Sequence, residues 1–266
     1  MGLAMNVPLP RTTEANHWTD SPTAHNRSGR LRSFLAGTCA VVFTFTLIGG
    51  PDPGEQLFNG RDLSGWREPH GNWVAAKAVA LDPTNPEKFV IAAGTGVLAN
   101  GPTGKTVDLI TSREFGDVEV HVEFCITKHS NSGVYLMGEY EVQVYDSYGV
   151  EKDQYPGIEC GGIYPRWINE KNVEGHSPLV NASLPPGQWQ TFDITFSAPR
   201  FDATGKKIAD ARLVKVLHNG KVIHENVELH GPTRGALAEE EKPTGPLRLQ
   251  GDHGPVAYRN LRIISL

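Results

Sequence analysis

Glu141, Gln143 and Tyr145 occupy every second position between Tyr140 and Tyr145, with Tyr140, Val142 and Val144 between them. In an extended strand the side chains alternate, so one face carries a carboxylate, an amide and a phenol while the other is apolar and fit for a core. Asp146 follows directly, and a bulge between Val144 and Asp146 would swing its carboxylate onto the polar face. Two carboxylates a few ångströms apart on one wall, with hydroxyl-binding groups between them, are the equipment of glycosidic-bond chemistry. Glu141 and Asp146 are therefore taken as the centre of a candidate site.

Other polar groups fall into comparable settings. Residues 118–126 alternate, with Val118, Val120, Val122, Phe124 and Ile126 opposite Glu119, His121, Glu123 and Cys125. If this strand lies beside the Glu141 strand, His121 and Glu123 extend the same groove as a metal-binding pair or as a base and its orienter. Asn131-Ser132-Gly133 begins a strand with a tight polar turn, and a glycine there permits close approach of a ligand or neighbouring chain. Gln250-Gly251-Asp252-His253-Gly254-Pro255 presents a carboxylate and an imidazole among glycines, where His253 is free to titrate or ligate.

The elements that must hold these groups are strands. Short apolar or alternating runs at 89–92, 107–111, 118–126, 133–137, 140–145, 192–196, 213–217, 222–227, 247–249 and 258–264 are each bounded by Gly, Pro, Asn or Asp. Asn219-Gly220 between two such runs supplies the positive φ angles of a type I′ hairpin turn. Only 236–242 has helix-like composition. About ten strands without intervening helices imply an all-β sandwich of two antiparallel sheets with few short helices. The segment 147–186, rich in Gly, Pro and aromatic residues, has the length of a loop that builds or covers a site.

Composition limits the alternatives. The 266 residues carry a net charge of −5, with 29 Gly, 19 Pro, five Trp and seven Tyr. No basic cluster interleaves with aromatic residues, which speaks against nucleic acid as a partner, and the aromatic content suits a sugar-binding surface. No Gly-x-Ser-x-Gly elbow, phosphate loop or dinucleotide fingerprint is present. Residues 1–32 read as a disordered polar tail, 33–50 as a signal-peptide-like or anchoring apolar segment, 51–56 as a linker and 57–266 as the folded domain. The expectation is export, with a membrane partner only if 33–50 is retained. Cys125 and Cys160 are the cysteines of the folded part, and their spacing leaves pairing open.

Six blocks carry a resemblance. They are Leu57-Phe58-Asn59-Gly60-Arg61-Asp62-Leu63-Ser64-Gly65-Trp66, Asn131-Ser132-Gly133-Val134-Tyr135-Leu136 and Tyr140-Glu141-Val142-Gln143-Val144-Tyr145-Asp146. With them go Pro185-Pro186-Gly187-Gln188-Trp189, His218-Asn219-Gly220-Lys221-Val222, and Gly245-Pro246-Leu247-Arg248-Leu249-Gln250 continued by His253-Gly254-Pro255-Val256. In this order they closely resemble the 3-keto-disaccharide hydrolase family, with Met137 standing where that family is expected to have an Arg. The resemblance implies a concanavalin A-like jelly roll with its site on the concave sheet, and cleavage of 3-keto-glycosides. A ketone at C3 acidifies the C2 proton; its removal lets the C1 oxygen leave, and water then adds. On this reading Glu141, Asp146 and His253 are the catalytic candidates. Gln143, Tyr145, Asn131, Tyr135, Gln250 and Trp189 bind sugar, and His121 and Glu123 are ligands if a divalent metal ion takes part.

Two other readings fit the same fold. A laminarinase-type glycosidase would carry its carboxylates at similar spacing but with an Asp where Gln143 stands. A lectin-like module would bind glycans without turnover.

Overall fold

A computed structural model describes residues 54–151 and 157–266. The expected tail, the apolar segment 33–50 and residues 51–53 lie outside the described residues. Sixteen strands follow in chain order. They are β1 (Glu55–Gln56), β2 (Val74–Asp82), β3 (Asn85–Ala99), β4 (Leu109–Phe115), β5 (Val118–Ile126), β6 (Asn131–Leu136), β7 (Tyr140–Tyr145) and β8 (Arg166–Ile168). Then come β9 (Lys171–Val173), β10 (Gln190–Ser197), β11 (Arg200–Phe201), β12 (Lys207–Ala209), β13 (Ala211–His218), β14 (Lys221–Leu229), β15 (Gly245–Leu249) and β16 (Val256–Ser265). One sheet has the order β14-β13-β10-β5-β16-β3-β2, with β1 pairing on β16; a second has the order β4-β15-β6-β7. β8–β9 and β11–β12 form separate ribbons. The protein is an all-β antiparallel sandwich, as the alternating runs imply.

Alternation explains why the two sheets meet. Along β10, Phe192, Ile194 and Phe196 are buried while Thr191, Asp193, Thr195 and Ser197 are half-buried. These side chains join Val120, Val122 and Phe124 of β5, Leu136 of β6, Tyr140, Val142 and Val144 of β7, and Leu247 and Leu249 of β15 in one core. Each such side chain contributes about 1.5–3 kcal/mol on burial. A one-residue slip would turn a whole strand's apolar set to water, so the register is strongly specified. One polar link crosses the layers: Ser132 Oγ on β6 donates to the Gln250 carbonyl and lies 3.0 Å from the hydroxyl of buried Tyr258 on β16.

Four expectations are corrected. β5 does not lie beside β7; it pairs with β10 and β16 in the other sheet. Both strands bury their apolar faces in the shared core from opposite sides, so their polar faces point away from each other. No helix occurs among the described residues, and 236–242 is an irregular run with bends whose Glu241 is held by Lys207 Nζ at 2.5 Å. The expected linker contributes its last two residues, Glu55 and Gln56, to a sheet. The strand β2 was absent from the alternation pattern because it reads Val-Ala-Ala-Lys-Ala-Val-Ala-Leu-Asp, and alanine is a weak strand former. Pairing with β3 along nearly its whole length overrides that preference. Cys125 and Cys160 are both buried free thiols.

The hairpin joining β13 and β14 forms as its sequence demands, with His218 opposite Lys221 and φ of 50° and 75° at Asn219 and Gly220. A Cβ placed on Gly220 would meet nothing within 4 Å, so Gly220→Ala should cost only the left-handed backbone penalty, about 1–2 kcal/mol. On Gly104, φ 58°, a Cβ would lie 1.9 Å from the Gly254 carbonyl carbon. Gly104→Ala should therefore lower the urea midpoint clearly further than Gly220→Ala; equal midpoints would contradict this packing.

Candidate active site

The second sheet has a polar outer face, and its register gathers that face into rows. Arg248 on β15 is opposite Tyr135 on β6, and Tyr135 is opposite Glu141 on β7. In the next row Gly133 faces Gln143, and the Gln250 amide donates to the Gly133 carbonyl at 3.0 Å. Directly opposed residues in antiparallel strands have Cβ atoms about 5 Å apart, so these side chains must interact. The Tyr135 hydroxyl donates to Glu141 Oε2 at 2.7 Å. The Arg248 guanidinium lies 3.8 Å from the centre of the Tyr135 ring, its Nε is 2.9 Å from Asp108 Oδ2, and Nη1 donates to the Gly235 carbonyl. The amide orientation that satisfies Gln143 has its nitrogen donating to Glu141 Oε1 at 2.7 Å and to the Ser132 carbonyl at 3.0 Å.

Both carboxylate oxygens of Glu141 are thus fixed. Gly133 makes room for them: a Cβ there would lie 2.1 Å from Oε1. The glycine in Asn-Ser-Gly therefore admits a neighbouring carboxylate.

The cavity above these rows has a volume of about 320 Å3 and is lined by Asn131, Tyr135, Glu141, Gln143, Tyr164, Arg234, Gly235, Arg248, Gln250 and His253. That volume lies within the usual range for small-molecule sites, about 300–1,000 Å3. The long loop helps build the wall. Gly161 N–H donates to the Gln143 carbonyl, Gln143 N–H to Gly162 and Tyr164 N–H to Glu141, so the segment runs along the open edge of β7. On the same edge the Thr233 amide donates to the Glu139 carbonyl and the Glu141 amide to Thr233 Oγ1.

Burial in this row pushes the Glu141 carboxyl up to about 8 from an ordinary 4.5; the Tyr135 hydrogen bond and the charge of Arg248 pull the other way. Burial, reinforced by the Glu141 charge, pushes the Tyr135 phenol far above its ordinary range, so Tyr135 remains a donor. His253 is exposed at the rim, its Nδ1 bonded to Asp252.

Six residues expected from the sequence therefore line one cavity: Asn131, Tyr135, Glu141, Gln143, Gln250 and His253. Five others lie elsewhere. No bulge occurs between Val144 and Asp146, and the Asp146 carboxylate accepts the His129 amide at 2.9 Å instead of joining Glu141. Tyr145 packs against the core. Trp189 sits on the outer side of the other sheet, with the Arg259 guanidinium 4.1 Å over its ring. His121 and Glu123 also belong to that sheet. His121 Nδ1 lies 2.6 Å from Asp193, while Glu123 is engaged by Arg259 and Asn260. Each thus has a protein partner of its own, and among the described residues no three His, Cys, Asp or Glu side chains gather to hold a metal ion. Met137 turns into the core, and the cavity's guanidinium groups come from Arg248 and Arg234. Arg248 was legible as a charge between Leu247 and Leu249, in step with Gln250. Arg234 and Tyr164 come from irregular segments with no such period.

Fold and site together define a carbohydrate-active sandwich enzyme. Residues 53–264 match the model of the 3-keto-alpha-glucoside-1,2-lyase-like domain, and the chain belongs to that family. It is similar to a protein of Parabacteroides distasonis ATCC 8503 assigned as a glycosyl hydrolase, with 30% identity over 80% of this chain and 84% of that one and a TM-score of 0.56. A second such protein of that organism has 21% identity over 64% of this chain and 87% of that one, with a TM-score of 0.44. No curated protein matches the chain.

The raised Glu141 carboxyl has a consequence for stability. In the unfolded chain Glu141 ionises near its ordinary 4.5, whereas in the folded chain it keeps its proton to about pH 8. The stability this proton confers is complete below about 4.5 and is lost as pH rises through 8. The thermal midpoint of Glu141→Gln should therefore rise relative to the parent between pH 5 and 8. A constant difference across that window would show that the carboxyl is not desolvated.

Proposed function

We propose that this protein cleaves the glycosidic bond of 3-keto-glycosides by elimination across C1 and C2, followed by hydration. The observation that carries the proposal is the buried Glu141 carboxyl, gripped by Tyr135 and Gln143 and raised to about 8, in a sugar-sized cavity that it shares with His253. A general base works best with a pKa near the operating pH, and the Glu141 carboxyl, raised to about 8, acts as the base once its proton is lost. It takes the C2 proton, and the C–H electrons form the enolate of the C3 ketone, whose negative charge the neighbouring Arg248 guanidinium stabilises. Collapse of the enolate forms the C1–C2 double bond and expels the glycosidic oxygen from C1. His253, oriented by Asp252 at Nδ1, protonates that oxygen through Nε2. Water then adds across the double bond: its hydroxyl goes to C1 as His253 takes its proton, and Glu141 returns a proton to C2, which completes the net hydrolysis and resets both groups.

The placement of Asp146 favours this route over ordinary double displacement. A retaining glycosidase needs a second carboxylate about 5–5.5 Å from the first, and the cavity lining holds no acidic residue besides Glu141. The family's description as a 1,2-lyase-like domain supports the same reading.

The test is product analysis of the full chain with 3-keto-aryl glucosides of both anomers beside the unoxidised glucosides. Aglycone should appear only from the keto substrates. Glu141→Gln should lower kcat by roughly 10²-fold or more, and His253→Ala should slow the substrate with the poorest leaving group most. kcat/KM should climb with pH to a limb near 8. Full turnover by both variants, or release from unoxidised glucosides, would refute the mechanism; glycan binding without any turnover would identify a lectin.

A further inference from the structure

A second cavity adjoins the first. Its volume is about 360 Å3, and Arg166, Trp167, Ile168, Thr233, Arg234 and Glu239 form much of its wall. Arg234 and Gly235 line both cavities, so the two meet along that pair.

The second cavity has a built wall. Trp167 stands in the β8–β9 ribbon, next to a turn in which Asn169 and Glu170 have φ of 50° and 61°. The ribbon is fastened at its base by an ion pair between Arg166 and Glu174 at 2.9 Å and by the Arg234 amide donating to the Pro165 carbonyl. A tryptophan 48% exposed on a short, anchored ribbon has little structural reason to face solvent. Its ring is stacked with the Arg234 guanidinium, whose Cζ is 4.0 Å from the ring centroid. Stacking uses none of the guanidinium's N–H donors, and among the described residues the Arg234 side chain makes no hydrogen bond. A planar apolar surface, a set of unspent donors and the Glu239 carboxylate are the complement of a pyranose ring, which offers C–H groups on one face and hydroxyls at its rim.

We propose that this second cavity binds the leaving sugar of a 3-keto-disaccharide, with the face of Trp167 that Arg234 leaves uncovered as its stacking platform and Arg234 as the donor that spans the bond to be broken. The inference rests on the proposed function for the identity of the ring in the first cavity. The two cavities are of similar size, as two linked hexose rings require. Occupancy here would hold C1 of the oxidised ring near the junction that Arg234 and Gly235 line, at the mouth of the cavity that contains Glu141.

The test compares a 3-keto-disaccharide with methyl 3-keto-glucoside, which has no second ring, using the full chain. Trp167→Ala should raise KM for the disaccharide by roughly fivefold to tenfold and leave KM for the methyl glycoside unchanged. Trp167→Phe, which keeps an aromatic plane, should restore most of the difference. Equal effects on both substrates, or none on either, would overturn the assignment. Quenching of tryptophan fluorescence by the unoxidised disaccharide supplies a readout independent of turnover. It should occur in the parent, disappear in Trp167→Ala and be absent with the monosaccharide. Loss of turnover on every keto substrate with this quenching intact would refute the mechanism alone, and absent quenching would refute the second cavity.

Discussion

The structure depends on one constraint: two sheets share the main apolar core, so the amphipathic strands that meet there turn their polar sides outward from the sandwich. For β6, β7 and β15 this places Tyr135, Glu141 and Arg248 in one cross-strand row. A carboxylate so placed would ordinarily be solvated. Here the segments 161–164 and 231–237 lie along the free edge of β7 and roof the row, which removes Glu141 from water. Desolvation then raises its proton affinity, while Tyr135 and Gln143 fix its geometry. The chemistry proposed for the site follows from that pairing of low polarity with defined hydrogen bonds.

The same constraint separates the polar groups of the other sheet from the site. His121, Glu123 and Trp189 are held by Asp193, Asn260 and Arg259, and these contacts neutralise or cover them on the outer side of β5 and β16. They form a surface network in which each group already has its partner. By contrast, the lining of the first cavity leaves His253 exposed at the rim and the Arg234 side chain without a hydrogen bond among the described residues, which is the condition of groups kept for a ligand.

Glycines serve the site in a specific way. Gly133 has an ordinary backbone conformation and is needed for space, since a methyl group there would collide with the Glu141 carboxylate. The active row is thus built around the absence of a side chain as much as around the three that are present. The enclosing segments, in turn, are positioned by backbone hydrogen bonds to β7, so the integrity of the site is tied to the edge of the sheet that carries it.

Local sequence determined a great deal. Period-two alternation in β5, β7 and β10 specified strands and their buried faces, Asn219-Gly220 specified a hairpin, and the polar face of Tyr140–Tyr145 pointed to Glu141 and Gln143 before any contact was known. These features are legible because they depend only on neighbours a few positions apart. What tertiary structure decided was which polar faces meet. Strand order put β5 in the opposite sheet and parted His121 and Glu123 from Glu141. Regular pairing of β6 with β7 kept Asp146 off the wall, since no bulge turned it. Tyr164, Arg234 and Trp167 come from segments without a period, so their arrival beside the row is set by hydrogen bonds to a distant strand edge. Spacing along the chain carries no record of such contacts, and only the folded sheet brings them together.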